Sequence, residues 1–135
     1  MANYALRSKM SDVQWIAASK VIATPTDTTH YVCQLPARSL VTDIIVNKTT
    51  AYSDAGAVVT IGFDGNGETA DTDAFMSVVT FDPTTLGTAS IKQGSVKNSG
   101  GKYFSQKGSV TVTSDDNAGT AGTFQVFVLY TQLKN

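Results

Sequence analysis

Three observations predict an all-β, single-domain antiparallel β-sandwich. Apolar and polar residues alternate in short runs, turn-forming clusters of Gly, Asp, Asn and Ser separate those runs, and Thr and Val are abundant where strong helix formers are scarce. At 135 residues the chain has the length of one domain. A globule of that size buries about two thirds of the surface its unfolded chain exposes, so it folds without covalent staples.

Taken in order, residues 1–12 (MANYALRSKMSD) read as an N-terminal arm and residues 13–135 as the sandwich. Arg7 and Lys9 are not followed by a continuous apolar stretch, so the start does not read as a secretory signal, and synthesis in the cytoplasm is expected. Ser11-Asp12-Val13-Gln14 matches a capping box, and Val13, Ile16, Ala17 and Val21 could form a helix stripe. The β-branched and aromatic content up to Thr24-Pro25 favours a strand instead.

In TTHYVCQL the odd positions Thr29, Tyr31, Cys33 and Leu35 form the more apolar set, opposite Thr28, His30, Val32 and Gln34. LVTDIIVN points Leu40, Ile44 and Val46 one way and Asp43 and Asn47 the other. GAVVTIGF groups Val59, Ile61 and Phe63, and GSVTVTS pairs Val110 with Val112. TFQVFVLYTQL carries Phe124, Val126, Val128 and Tyr130 on one face and Phe127 and Leu129 on the other, which predicts a central strand covered on both sides. Turns are expected at Ser53–Gly56, Asp64–Gly67, Asn98–Gly101 and Asp115–Gly119, and a short helical turn at Asp73–Val78.

Charged residues make up only 16% of the chain, against roughly 25% in ordinary soluble domains, which suggests surface covered by other subunits. A net charge of −1 supplies no overall positive field, so no nucleic-acid partner is expected. No apolar run approaches the ~20 residues that span a bilayer, so no membrane partner is expected either. A lone Cys33 forbids an internal disulfide.

The acidic stretch FDGNGETADTDA, residues 63–74, raises the question of a metal. An EF-hand loop started at Asp64 would place Thr69 where glycine is required and Phe75 where the closing carboxylate belongs. An irregular calcium site from Asp64, Asn66, Glu68 and Asp71 is one alternative; a solvated turn in which Gly65 and Gly67 supply positive φ is the other. His30 and Cys33, three apart on an ideal strand, face opposite sides and so would not share a zinc ion; Cys33 reads as a core residue and His30 as a surface one.

Nucleophilic catalysis would need a base and an orienting group, but the chain has a single histidine and no G-x-S-x-G elbow. Asp71 and Asp73 could act as a glycosidase pair only with a raised pKa that the sequence does not provide for. No enzymatic activity and no cofactor are expected.

Charge is unevenly placed. Asp43, Asp54, Asp64, Glu68, Asp71, Asp73 and Asp82 share their span with Lys48 alone, whereas Lys92, Lys97, Lys102 and Lys107 follow with no acid between them. These sides could meet across a subunit contact, or both could be solvated.

Residues 35–77 resemble a stretch that recurs in small virion proteins of tailed bacteriophages. The matching residues are Leu35-Pro36-Ala37, Val46 with Thr49-Thr50-Ala51-Tyr52, Val59-Thr60-Ile61-Gly62, and the loop Asp64 to Asp73. The resemblance implies a jelly-roll-like sandwich used as a capsid decoration (cement) protein. Such a protein would be a homotrimer on the capsid surface of the virion with the major capsid protein as its partner. The alternative is a tail or head-fibre adhesin for a host surface glycan, which should display loop aromatics; the only tryptophan, Trp15, lies instead in the first strand-like segment.

The arm lies outside the resemblance and is read physically. Tyr4, Leu6 and Met10 accompany Arg7 and Lys9 with no acid before Asp12, which makes these five the candidate capsid contacts; a frayed terminus is the alternative.

Overall fold

The computed structural model describes residues 13–23, 28–53, 56–77, 86–91, 98–115 and 121–133. Among them are nine strands and no helix: β1 (Val13–Ala23), β2 (Thr28–Leu35), β3 (Ser39–Thr50), β4 (Val58–Gly65), β5 (Glu68–Met76), β6 (Gly87–Ser90), β7 (Lys102–Phe104), β8 (Gly108–Asp115) and β9 (Thr123–Leu133). All pairings are antiparallel.

One sheet runs β1-β9-β3-β6, with β7 also on β3; the other runs β2-β8-β4-β5. Pairings nest along the chain: first strand with last, β2 with β8, β3 with β6 and β7, β4 with β5. That long hairpin is rolled so that β9 also joins β3 and β8 also joins β4, which is the strand order of a jelly roll.

The core lies between the sheets. Val41, Ile44, Val46, Val126 and Val128 from one sheet and Leu35, Val59, Ile61, Val110 and Val112 from the other are fully buried. Each such side chain contributes about 1.5–3 kcal/mol by leaving water. The predicted alternation holds in β4, β8 and β9. β9 is indeed central, paired on both edges, and its outward Phe127 and Leu129 are half-buried.

Three departures from the sequence expectation come from breaks in strand register, two of them one-residue β-bulges and the third a longer insertion. In β3 the register shifts between Val41 and Asp43, so Val41 rather than Leu40 joins Ile44 and Val46 in the core. In β2 it shifts between Tyr31 and Cys33. Tyr31 pairs with Thr111 and points outward, 54% exposed, while His30 and Cys33 pair with the buried Val112 and Val110 and so share the inner face. The expected grouping of Thr29 and Tyr31 with Cys33 and Leu35 is therefore wrong, and so is the argument that His30 and Cys33 face apart.

In β5 the expected helical turn from Asp73 is replaced by a strand through Met76, with Val78 outside the described residues. Phe63 pairs with Asp71 and Ile61 with Met76, so Thr72–Phe75 oppose Gly62 alone. The surplus chain folds over that glycine and delivers Ala74 and Phe75 to the core. A Cβ on Gly62 would stand 1.9 Å from the Asp71 carbonyl oxygen. Because backbone has to move, Gly62→Ala is expected to cost about 3 kcal/mol, a marked fall in melting temperature; an unchanged melt would show that β5 does not cross here.

Candidate functional site

The acidic stretch closes the β4–β5 hairpin. Gly65, Asn66 and Gly67 all have positive φ, at 95°, 61° and 69°. Asn66 tolerates that region better than other residues with a Cβ, and here its side chain is also buried, at 6% exposure. It ties the hairpin to the segment joining β7 and β8. The Asn66 backbone N–H donates to the Lys107 carbonyl at 2.9 Å. Its Oδ1 accepts from the Gln106 N–H at 3.0 Å and the Ser105 hydroxyl at 3.4 Å, and its Nδ2 donates to the Tyr103 carbonyl and to Glu68.

Glu68 in turn pairs with Lys102 at 3.1 Å, and the Lys102 ammonium sits 4.4 Å from the Phe63 ring centroid. Phe63 meets Phe104 edge to face at 5.7 Å. One lysine of the basic half thus pairs with the acidic half inside the same chain.

This geometry accounts for the four residues considered as calcium ligands. Asn66 is turned into the protein, Glu68 is engaged by Lys102, Asp64 accepts from Tyr31, and Asp71 accepts from the Asp73 N–H at 3.3 Å. The described residues hold no group of three or more His, Cys, Asp or Glu side chains arranged to bind a metal. The stretch forms the β4–β5 turn and, through Asn66, its clasp on the segment joining β7 and β8.

A second cluster lies where the edge strands β1 and β2 approach. Lys20, on the inward side of β1, donates to the Tyr31 carbonyl at 2.8 Å beside the β2 bulge. His30 is half-buried, and its Nε2 has no hydrogen-bond partner among the described residues. Burial, and secondarily the Lys20 charge, lowers its pKa below the usual 6.5. Burial also pushes the Cys33 thiol up to about 11, against a hydrogen bond from the Val110 backbone, so Cys33 is a protonated, poorly nucleophilic side chain. Tyr130 is raised by burial and then by Cys33.

The two outer faces differ. On the five-stranded sheet, Ile45 pairs with Phe127, and Leu129 lies two residues further along β9; all three are half-buried, and Val21 on β1 is 56% exposed. Asp43 pairs with Leu129 on this same face and accepts from Ser90 Oγ at 2.8 Å. On the four-stranded sheet the outer face is polar, with Tyr31 donating its hydroxyl to Asp64 Oδ2 at 3.1 Å. Sequence reading missed Tyr31 as a surface residue, because the bulge that turns it outward has no signature in TTHYVCQL. The predicted contacts Tyr4, Leu6, Arg7, Lys9 and Met10 lie outside the described residues.

Neither a protein-family model nor a curated protein sequence matches the chain. Solved structures do, and all three described here are capsids. A chain in the acidic stable capsid structure of Helicobacter pylori bacteriophage KHP30 superposes with a TM-score of 0.66 at 12% identity, over 90% of this chain and 94% of that one. A chain of the capsid of Ralstonia phage GP4 gives 0.61 at 12% identity, over 90% and 86%. A chain of the cyanophage Pam1 capsid gives 0.53 at 15% identity, over 90% and 85%. The jelly roll is shared with these chains almost end to end.

Two outcomes are expected. Asn66→Ala removes a buried hub and puts alanine at φ 61°, costing about 2–4 kcal/mol in denaturant unfolding, whereas Asn66→Gly relieves the backbone and costs about 1 kcal/mol less. Because the native state binds a proton at His30 more weakly than the unfolded chain, stability is whole above about pH 6.5 and falls as the pH drops through that value. In melts at about pH 7.5 and about pH 5.5, His30→Gln should show a smaller acid-side loss than the parent; equal losses would place the pH dependence elsewhere.

Proposed function

We propose that this chain is a non-enzymatic structural protein of a phage virion, a decoration (cement) protein seated on a shell of major capsid protein. The observation that carries this reading is the superposition on chains of three phage capsid structures over 90% of its length. The resemblance of residues 35–77 to small virion proteins points the same way.

The outer face of the five-stranded sheet supplies a surface for assembly. Ile45, Phe127, Leu129 and Val21 lie there with Ser19 and Gln125, which are hydrogen-bonded to each other at 3.4 Å, and with Asp43, whose carboxylate accepts from Ser90. We assign this face to contacts between copies in a homotrimer, where burying apolar area is favourable and the carboxylate already has a hydrogen-bond partner. Residues 1–12 are the proposed grip on the shell, with Tyr4, Leu6 and Met10 burying apolar surface and Arg7 and Lys9 meeting carboxylates. Assembly would follow synthesis in the host cytoplasm and place the protein on the capsid surface.

The test is a titration of heads lacking this protein at two salt concentrations. The full chain should sediment as a trimer and bind. Deleting residues 2–10 should leave folding and trimerisation intact but weaken attachment, and Arg7→Glu with Lys9→Glu should mainly slow association and flatten its salt dependence. Undiminished binding by the truncated chain would move the grip to the sandwich, and a monomer that ignores heads would overturn the decoration reading.

A further inference from the structure

The outer face of the four-stranded sheet holds an arrangement that the proposed shell contacts do not involve. Tyr31 is on β2 and Asp64 on β4, with β8 between them, so their strands lie roughly 10 Å apart. A tyrosine ring standing off the sheet cannot reach a carboxylate two strands away. The 3.1 Å hydrogen bond from Tyr31 to Asp64 therefore requires the ring to lie along the sheet, across Thr111. Thr111 is outward-facing yet only 3% exposed, with the Tyr31 side chain on one flank and the β5 chain that crosses its row partner Gly62 on the other. Tyr31 itself remains 54% exposed, which leaves its other π-face open to solvent.

Polar rows border this ring on both sides. Gln34, Ser109 and Asp64 share one register row, and Thr29 and Thr113 share another, their hydroxyls 3.3 Å apart. Rows on one face recur roughly every 7 Å along a strand, so hydroxyl and amide groups border a flat aromatic surface the width of a six-membered sugar ring. The Asp64 hydrogen bond fixes the ring before any ligand arrives, which removes an ordering cost from binding.

We propose that this surface binds a neutral pyranose: the apolar face of the sugar stacks on Tyr31, and its hydroxyls bond to Asp64, Gln34 and Ser109 on one side and Thr113 on the other. The chemistry selects this class. A protein hot spot sits in a closely packed pocket that neighbouring contacts seal from water, whereas Tyr31 is 54% exposed between rows of hydroxyl, amide and carboxylate groups, which match the hydroxyls of a sugar. A nucleotide or an acidic sugar would bring its anion against Asp64. The proposal stands apart from shell attachment and is tested on the isolated full chain.

Amide-resolved NMR titrations with the methyl glycosides of glucose, galactose and mannose and with N-acetylglucosamine, to about 50 mM each, detect dissociation constants on the order of 10 mM. The expected result is that at least one sugar shifts the amides of residues 31, 34, 64, 109 and 113 together. Tyr31→Ala should weaken that response by about tenfold or more, as loss of a stacking surface does. Tyr31→Leu, which keeps bulk but has no π-face, should weaken it similarly, and both variants should melt like the parent because the position is exposed. If either unfolds, Asp64→Asn and Gln34→Ala provide the same reading, each lowering affinity with Tyr31 in place. No response to any sugar, shifts mapping elsewhere, or an undiminished response in the variants would overturn the proposal. So would Tyr31→Ala that loses head binding while the parent ignores sugars, which would assign the surface to a protein contact.

Discussion

Everything in this sandwich depends on the pairing of β9 along both its edges. It runs eleven residues, holds β1 on one side and β3 on the other, and turns Phe124, Val126 and Val128 into the core at 0–1% exposure. The strand that organises the larger sheet is thus the last of the described strands, and one of its partners is the first of them. Such pairing pays its loop-closure entropy before any neighbouring contact repays it, which makes this a fold of high contact order and slow assembly. The pairs nested inside it close progressively shorter loops, from β2 with β8 down to the local β4–β5 hairpin.

Within that frame, bulges decide which side chains go where. One extra residue in β3 exchanges Leu40 for Val41 in the core. One in β2 separates an outward Tyr31 from an inward Cys33, and Lys20 bonds the carbonyl beside it. The larger irregularity in β5 requires a glycine at position 62 and delivers Phe75 to the interior. Each sacrifices ladder hydrogen bonds locally and gains a side chain directed against the simple alternation of its strand.

The two outer faces differ in chemistry. The five-stranded sheet presents a mainly apolar surface with Asp43 beside Leu129, the one proposed for protein contact, and the four-stranded sheet presents a hydroxyl-lined surface with Tyr31 bonded to Asp64, the one proposed for a sugar. The end of the sandwich that carries Asn66 is neither. It is a structural clasp in which a buried amide, the Glu68–Lys102 pair and the Phe63–Phe104 contact hold the β4–β5 hairpin to β7 and the segment that follows it. Glu68 is 47% exposed, so the amide network contributes more there than the ion pair does.

Local pattern was enough to establish the all-β class, the positions of most strands, the central role of β9 and the turn at Asp64–Gly67, because alternation and turn chemistry are properties of neighbouring residues. It also weighed against an EF-hand at the acidic stretch, since that loop needs a glycine and a carboxylate that Thr69 and Phe75 replace. Tertiary structure alone decided the rest. Whether Tyr31 faces in or out depends on the register of β2 against β8, and the burial of Asn66 depends on the segment joining β7 and β8, some forty residues away. A bulge changes the phase of every side chain beyond it without requiring any particular residue, so alternation read from the sequence carries through it unbroken while the strand itself does not.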